Sequence, residues 1–435
     1  MRKKIFFCLI VLLCCFMLVA CGFDEESEEP RRLEVARVVA IPHVHHVHWG
    51  LIYPTSGTWG TTETWGETTF VILSDGSLWG WGQNWHGRLL PGTSQFEAQF
   101  SPVKIMDNVA EVFPCRTHTA ILTTEGDLLL WGDVHIMDDV THVSTCPTGS
   151  LVLAIRSDGS LWRWGIFHWI VPLDVWGTWH EGVPMMVMED VAYVSSNLSH
   201  TMIITSDNEL WGWGDNGHGQ LGNGTTEQVR PYPVKILDNV AQVYTQIYFT
   251  MALRTDNTLW AWGRNTHGQI GNGANTHQLY PVQILDRVSY VAIGDTHTMV
   301  IRDDNSLWGW RRNTNGQLGN GTNASTYYPT WIMDDVVQIS VGMFHTAAIR
   351  SDGSLWMWGS NNAGQLGNGT TTTSYVPIHI MDGVAYVYAV DSRTLVITDD
   401  GRLLTWGGGI LGDGIHPDER IEIGVPVEIL FVEGD

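Results

Sequence analysis

A short pattern, Leu-Trp-x-Trp-Gly, recurs along the chain and constrains its fold more than any other feature. It stands as Leu78-Trp79-Gly80-Trp81-Gly82 and returns at Leu161 to Gly165, Leu210 to Gly214, Leu259 to Gly263 and Leu355 to Gly359. The copy at Leu307-Trp308-Gly309-Trp310 carries Arg311 in place of the last Gly, and the copies ending in Trp131-Gly132 and Trp406-Gly407 keep only the second Trp. The second Trp falls at residues 81, 131, 164, 213, 262, 310, 358 and 406. A period near 48 residues, shortened once to 33 between Trp131 and Trp164 where the loop after the tryptophan strand is lost, is the signature of an array of similar supersecondary units.

Each unit holds four short strand signals. A Pro-Val strand (Pro233-Val234-Lys235-Ile236) is followed by a Val-Ala strand (Val240-Ala241-Gln242-Val243). A His-Thr strand (His297-Thr298-Met299-Val300-Ile301) and then the tryptophan strand complete the unit. Turns such as Asp352-Gly353 supply the positive φ of a hairpin before the tryptophan strand. A long loop follows it, Asn361 to Gly369, built on Gly-Gln-Leu-Gly. Four strands per unit predict an all-β, closed β-propeller of four-stranded blades, eight by repeat count. In a strand, Trp211 and Trp213 share one face while Leu210, Gly212 and Gly214 share the other. The indoles of one blade are therefore expected against glycines of the next. Unit 1 opens on a Val-Ala strand (Val35-Ala36-Arg37-Val38), and the chain closes on an unmatched Pro-Val strand (Pro426-Val427-Glu428-Ile429). The expectation is that this C-terminal strand completes the N-terminal blade.

These units resemble the regulator of chromosome condensation repeat family in their Leu-Trp-x-Trp-Gly, Gly-Gln-Leu-Gly and Gly-x-x-His-Thr signatures. The resemblance covers roughly residues 33 to 432. It implies a β-propeller, usually of seven blades, which stands as the alternative to eight. Functions in the family range from nucleotide exchange on a small GTPase to ubiquitin-ligase accessory domains and secreted inhibitors of β-lactamase. Only scaffold positions match, so no functional residue carries over.

The N-terminus reads as an address. Arg2, Lys3 and Lys4 precede the uncharged apolar run Ile5 to Ala20, which is short for a membrane span. Leu18-Val19-Ala20-Cys21-Gly22 resembles a bacterial lipobox, with Cys21 as the acylated residue. The organisation expected is a signal peptide over 1–20, an acidic tether over 21–32 and a propeller over 33–435, lipid-anchored in the extracytoplasmic cell envelope. With 46 Asp+Glu against 23 Lys+Arg, the net charge of −23 argues against nucleic acid as a partner.

Departures from the repeat are where a particular function can lie. Antiparallel blades place the long loops and the turns before the His-Thr strands on one end of the ring, the long-loop face. Unit 1 carries about 24 extra residues before its His-Thr strand, and unit 3 replaces its Gly-Gln-Leu-Gly loop with residues 166–182. Of 22 Trp, eight lie outside the motif, and all but Trp331 fall in such segments: Trp49, Trp59, Trp65, Trp85, Trp169, Trp176 and Trp179. These seven either cap the ring or form a partner-binding surface, since exposed indoles suit protein hot spots and sugar stacking alike. Cys115 and Cys146 occupy one template slot in adjacent units, as buried thiols or as a disulfide. His43, His45, His46 and His48 lack a matching Cys or carboxylate set for a metal site. The template residues His118, His200, His297 and His345 recur once per unit and are expected to bond to backbone. No acid–base pair, nucleophile triad or phosphate loop stands out. The sequence thus points to a non-enzymatic scaffold without cofactor or metal; an enzyme housed on the propeller is the remaining reading, weakened by the missing acid–base constellation. The scaffold's expected partner is a protein, with glycan or cell wall as the alternative and membrane contact through the lipid alone.

Overall fold

The computed structural model describes residues 68–84, 89–90, 98–114, 119–131, 134–145, 151–165, 183–197, 199–420 and 424–431, with backbone only at 229–232. The expected signal peptide, tether and first Val-Ala strand lie outside these residues. Strands form eight antiparallel sheets. Seven have four strands, and the first has three among the described residues. The chain is an eight-bladed β-propeller, as the repeat count predicts. Among the described residues the one helical element is the 3-10 turn Pro417–Glu419, and no helix is long and apolar enough to cross a membrane.

Blade 5 illustrates the plan: Val240–Gln246, Phe249–Arg254, Leu259–Gly263 and Gln278–Leu285 pair in that order. The Val-Ala strands of neighbouring blades meet around the axis. The Pro-Val strand is outermost, paired with the tryptophan strand before it in sequence. A blade therefore begins one strand later than the sequence unit. This overturns the expected closure: Val427 and Glu428 pair with Thr405 and Leu404 of blade 8, not with blade 1. The tryptophan strand of blade 1 is already occupied, because Gln99–Met106 runs along Leu78–Gly82. Each long loop brings its own chain back to the nearest open edge, and the last loop does the same.

Closure comes from side chains instead. Period-two alternation divides every blade, so that in blade 4 Ile203, Trp211 and Trp213 face blade 3 while Met202, Ile204 and Leu210 face blade 5. The buried residues fall into eight clusters, one for each pair of adjacent blades. An open row of eight blades would have seven. The eighth joins Leu395, Ile397, Leu403, Ile410 and Ile429 of blade 8 to Val71, Leu73, Trp79 and Trp81 of blade 1. Trp81, Trp262, Trp310, Trp358 and Trp406 are fully buried. At on the order of 200 Å² and 25 cal/mol per Å², each indole contributes about 5 kcal/mol of transfer free energy as an upper bound.

The glycine facing each indole is not the one the motif suggests. It comes from the long loop of the preceding blade: a Cβ at Gly222 would lie 2.7 Å from Trp262 Nε1, and one at Gly319 2.6 Å from Trp358 Nε1. Gly412 of blade 8 stands in the same relation to Trp81. The motif glycine Gly212 leaves room for the sulfur of Met202 within its own blade.

Candidate functional site

The long-loop face rests on a repeated hydrogen-bond relay between blades. Nε2 of His200 and of His297 lies 2.7 Å from Oγ1 of Thr250 and Thr346 of the next blade, and His345 lies 3.2 Å from Thr394. Each threonine hydroxyl donates onward, as Thr250 does to the Gln220 carbonyl at 2.8 Å, Thr346 to Gln317 and Thr394 to Gln365. The hydroxyl must therefore accept from the imidazole, so Nε2 carries the proton. The same Gln carbonyl accepts from the buried indole, at 2.9 Å for both Trp262 and Trp358. Burial pulls the pKa of His200 and His297 down to about 3 and that of His345 to about 4. These residues are neutral structural donors at ordinary pH. Each has a hydroxyl partner in the neighbouring blade that the sequence did not indicate, while His345 also has the backbone contacts expected, with Arg393 and Asp391. In blade 8 Arg393 replaces the histidine, donating to the Ile410 carbonyl at 2.7 Å and reaching Thr69 of blade 1 at 3.3 Å.

The loops themselves are clamped. Asn216 accepts from Leu221 N–H at 2.9 Å and donates to Asn223 Oδ1 and the Thr225 carbonyl. Asn265, Asn313 and Asn361 repeat the arrangement. Gly224, Gly273 and Gly321 then donate to carbonyls of Leu279, Tyr327 and Tyr375 on the outer strand of the next blade. Arg312 N–H bonds to the Thr296 carbonyl and Arg264 N–H to the Tyr248 carbonyl, which joins the loops to the turns before the His-Thr strands at one end of the ring. The described loops of blades 4 to 7 are thus tied to their own turns and to the next blade, the kind of surface that binds without a large ordering cost.

A cleft of about 410 Å³ opens in this surface between blades 5 and 6. Its walls include His267 of blade 5 and Asp295, Thr296, Arg311, Arg312 and Tyr327 of blade 6. Arg311 has φ +89°, whereas the same slot holds glycine, at φ between +99° and +117°, in blades 1, 3, 4, 5, 7 and 8. Its guanidinium lies over the Phe249 ring at 5.4 Å, and burial lowers its pKa to about 10. The sequence displays Arg311 as a departure from the motif. The requirement for positive φ that makes it unusual is visible only in the fold.

The site residues expected from sequence, Cys21, Trp49, Trp59, Trp65, Trp85, Trp169, Trp176, Trp179, Cys115 and Cys146, lie outside the described residues. So do His43, His45, His46, His48 and His118. The described non-motif Trp is Trp331, half-exposed on an outer strand and donating to Asp334 Oδ1 at 3.0 Å. Asp127, His135 and Asp138 bring potential metal-ligand atoms within 4.8 Å of one another. His135 is already within hydrogen-bonding distance of Asp138, at 2.6 Å, on an exposed strand.

Eight radial blades joined by buried tryptophans and glycine-rich loops define a β-propeller of the chromosome-condensation-regulator type. A family model described as RCC1-like domain matches residues 183–434, more than half of the chain, and the chain belongs to that family. Propellers of this kind are commonly protein-interaction scaffolds. The human WBSCR16 structure is similar, with 18% identity over 70% of this chain and 84% of that one and a TM-score of 0.52. Prp20p from Saccharomyces cerevisiae, whose binding properties to Gsp1p and histones are described, matches at 19% identity over 67% of this chain and 76% of its own, with a TM-score of 0.50. At these identities the likeness is one of fold. No curated protein sequence matches significantly.

Proposed function

We propose that this protein is a lipid-anchored, extracytoplasmic, non-catalytic scaffold that captures a protein partner on its long-loop face. The observation that carries the reading is where the departures from the repeat gather. Seven of the eight non-motif Trp belong to segments that the sequence assigns to the long-loop end of units 1 and 3, and Arg311 opens onto the described part of the same face. Indoles suit a hot spot, because they bring large contact area with few rotamers to immobilise. Anchoring rests on the basic start, the apolar run and Cys21. Crosslinking and pull-down from the native envelope test the scaffold role. Replacing Trp59, Trp65, Trp176 and Trp179 with Ala should abolish capture while melting behaviour is kept. Unchanged capture would sink the reading, and capture abolished by soluble glycan would replace it with carbohydrate binding. Cys21→Ser should shift the chain from the membrane to the soluble fraction and end acyl labelling.

A further inference from the structure

Most of the described arginines of this acidic chain are ion-paired. Arg156, Arg254, Arg287, Arg302, Arg350, Arg402 and Arg420 each form an ion pair with an aspartate. Arg264, Arg311 and Arg312 form none with any described carboxylate, and all three stand at the long-loop ends of the tryptophan strands of blades 5 and 6. They are close enough that Arg264 and Arg312 both depress the pKa of Arg311. Among the described carboxylates Asp295 alone is near enough to offset them, acting on Arg311. In a chain with twice as many acidic as basic residues, three neighbouring guanidiniums without an ion pair and with one nearby carboxylate call for a cause.

The three are held in position. Arg264 Nε donates to Thr266 Oγ1 at 3.3 Å and Arg312 Nε to Thr314 Oγ1 at 3.1 Å. Their guanidiniums lie over Tyr248 and Phe344 at 5.3 and 5.2 Å. Arg311 spends one long contact, 3.4 Å from Nη1 to the Gly294 carbonyl. A cation stacked on an aromatic and tied by a single nitrogen keeps the rest of its donor fork available.

Arg311 also occupies a slot hostile to any side chain. In blades 4, 5, 7 and 8 a Cβ on the equivalent glycine would lie 2.4 to 2.7 Å from a backbone carbonyl oxygen. Blade 6 accepts that conflict, and a left-handed backbone, in order to place a guanidinium in the cleft. Strain of this sort concentrates at binding sites.

We infer that the cleft between blades 5 and 6 is a carboxylate-binding site that takes an Asp- or Glu-bearing segment of a protein partner. The proposal rests on the scaffold reading above and adds the chemistry of one of its contacts. Guanidinium forks match a carboxylate bidentately. Asp295 stands exposed in the cleft wall and disfavours a dianion such as phosphate, while a single carboxylate bound by the guanidiniums of Arg311 and Arg312 is still attracted. The exposed hydroxyls of Thr314 and Ser325 and the ring of Tyr327 flank the charge with groups able to bond a peptide backbone and pack a side chain.

The test is titration of the full chain in detergent with fluorescent hexaglutamate, read by anisotropy, with hexaglutamine and inorganic phosphate as companions. Hexaglutamate is expected to bind at least about tenfold more tightly than hexaglutamine, and phosphate should not displace it at equal concentration. Arg311→Gly and Arg312→Gln should each weaken hexaglutamate about tenfold, whereas Arg350→Gln, which removes an arginine already paired with Asp335, should not. Glycine suits the backbone at 311, so loss of binding there cannot be ascribed to misfolding if the melting temperature is held. Binding by Arg311→Gly within twofold of the parent chain overturns the proposal, as does displacement by phosphate as effective as by hexaglutamate. The tryptophan variant should retain hexaglutamate binding, so failure of partner capture and failure of this site are separate outcomes.

Discussion

Mild acid should loosen this propeller through three buried imidazoles. In the folded ring burial holds His200 and His297 at about 3 and His345 at about 4, while in the unfolded chain each returns to about 6.5. Between pH 6.5 and 4 the unfolded chain therefore binds more protons than the folded one, and stability falls as pH falls. At pH 5 the linkage amounts to about 2 kcal/mol per histidine, or roughly 6 kcal/mol for the three, a large share of the 5–15 kcal/mol of an ordinary domain. Asp75, Asp158, Asp256, Asp304 and Asp352 are held below the usual carboxylate range, chiefly by Ser77, Ser160, Thr258, Ser306 and Ser354 hydroxyls. Their contribution is present above about pH 4 and is lost only below it, which leaves the window from 6.5 to 5 to the imidazoles. Urea midpoints followed by tryptophan fluorescence at pH 7.5, 6.5, 5.5 and 5.0 measure the effect. His200→Gln, His297→Gln and His345→Gln together keep a donor for the threonine hydroxyl and remove the titration. The parent midpoint should drop steadily over that window and the triple variant's should drop much less, since burial also lowers the remaining His218. Parallel curves for the two proteins would refute the assignment of neutral, buried imidazoles to the relay.

Gly319→Ala should cost about 3 kcal/mol in chemical denaturation, because its Cβ would meet the Trp358 indole at 2.6 Å on a backbone at φ +75°. Arg311→Gly should stabilise the ring by about 1 kcal/mol, since it restores the residue the slot favours. Trp81→Phe should cost about 1 kcal/mol less than Trp358→Phe: Trp358 Nε1 donates to Gln317 at 2.9 Å, whereas the buried Trp81 Nε1 has no acceptor among the described residues.

Much of the architecture is legible in the sequence because a repeated pattern repeats its physics. Trp-x-Trp on alternating positions names the face that must be covered, and Asp352-Gly353 names the hairpin, with Gly353 at φ +78°. What a repeat does not contain is its own starting point. Every cyclic permutation of the four strands reads alike, so assigning Val427 to blade 1 was as consistent with the pattern as pairing it with Thr405. The role of the template histidines was hidden for a related reason. Each finds its hydroxyl about fifty residues away, in a neighbouring blade, where local spacing gives no information.

The residues alone determined the class of fold and the number of blades, because these follow from periodicity and alternation along one chain. Only the tertiary structure decided how the ring closes, which glycines receive the indoles, and that Arg311 stands where a side chain scarcely fits. Each depends on distances between segments that the repeat holds apart in sequence and the ring brings together in space.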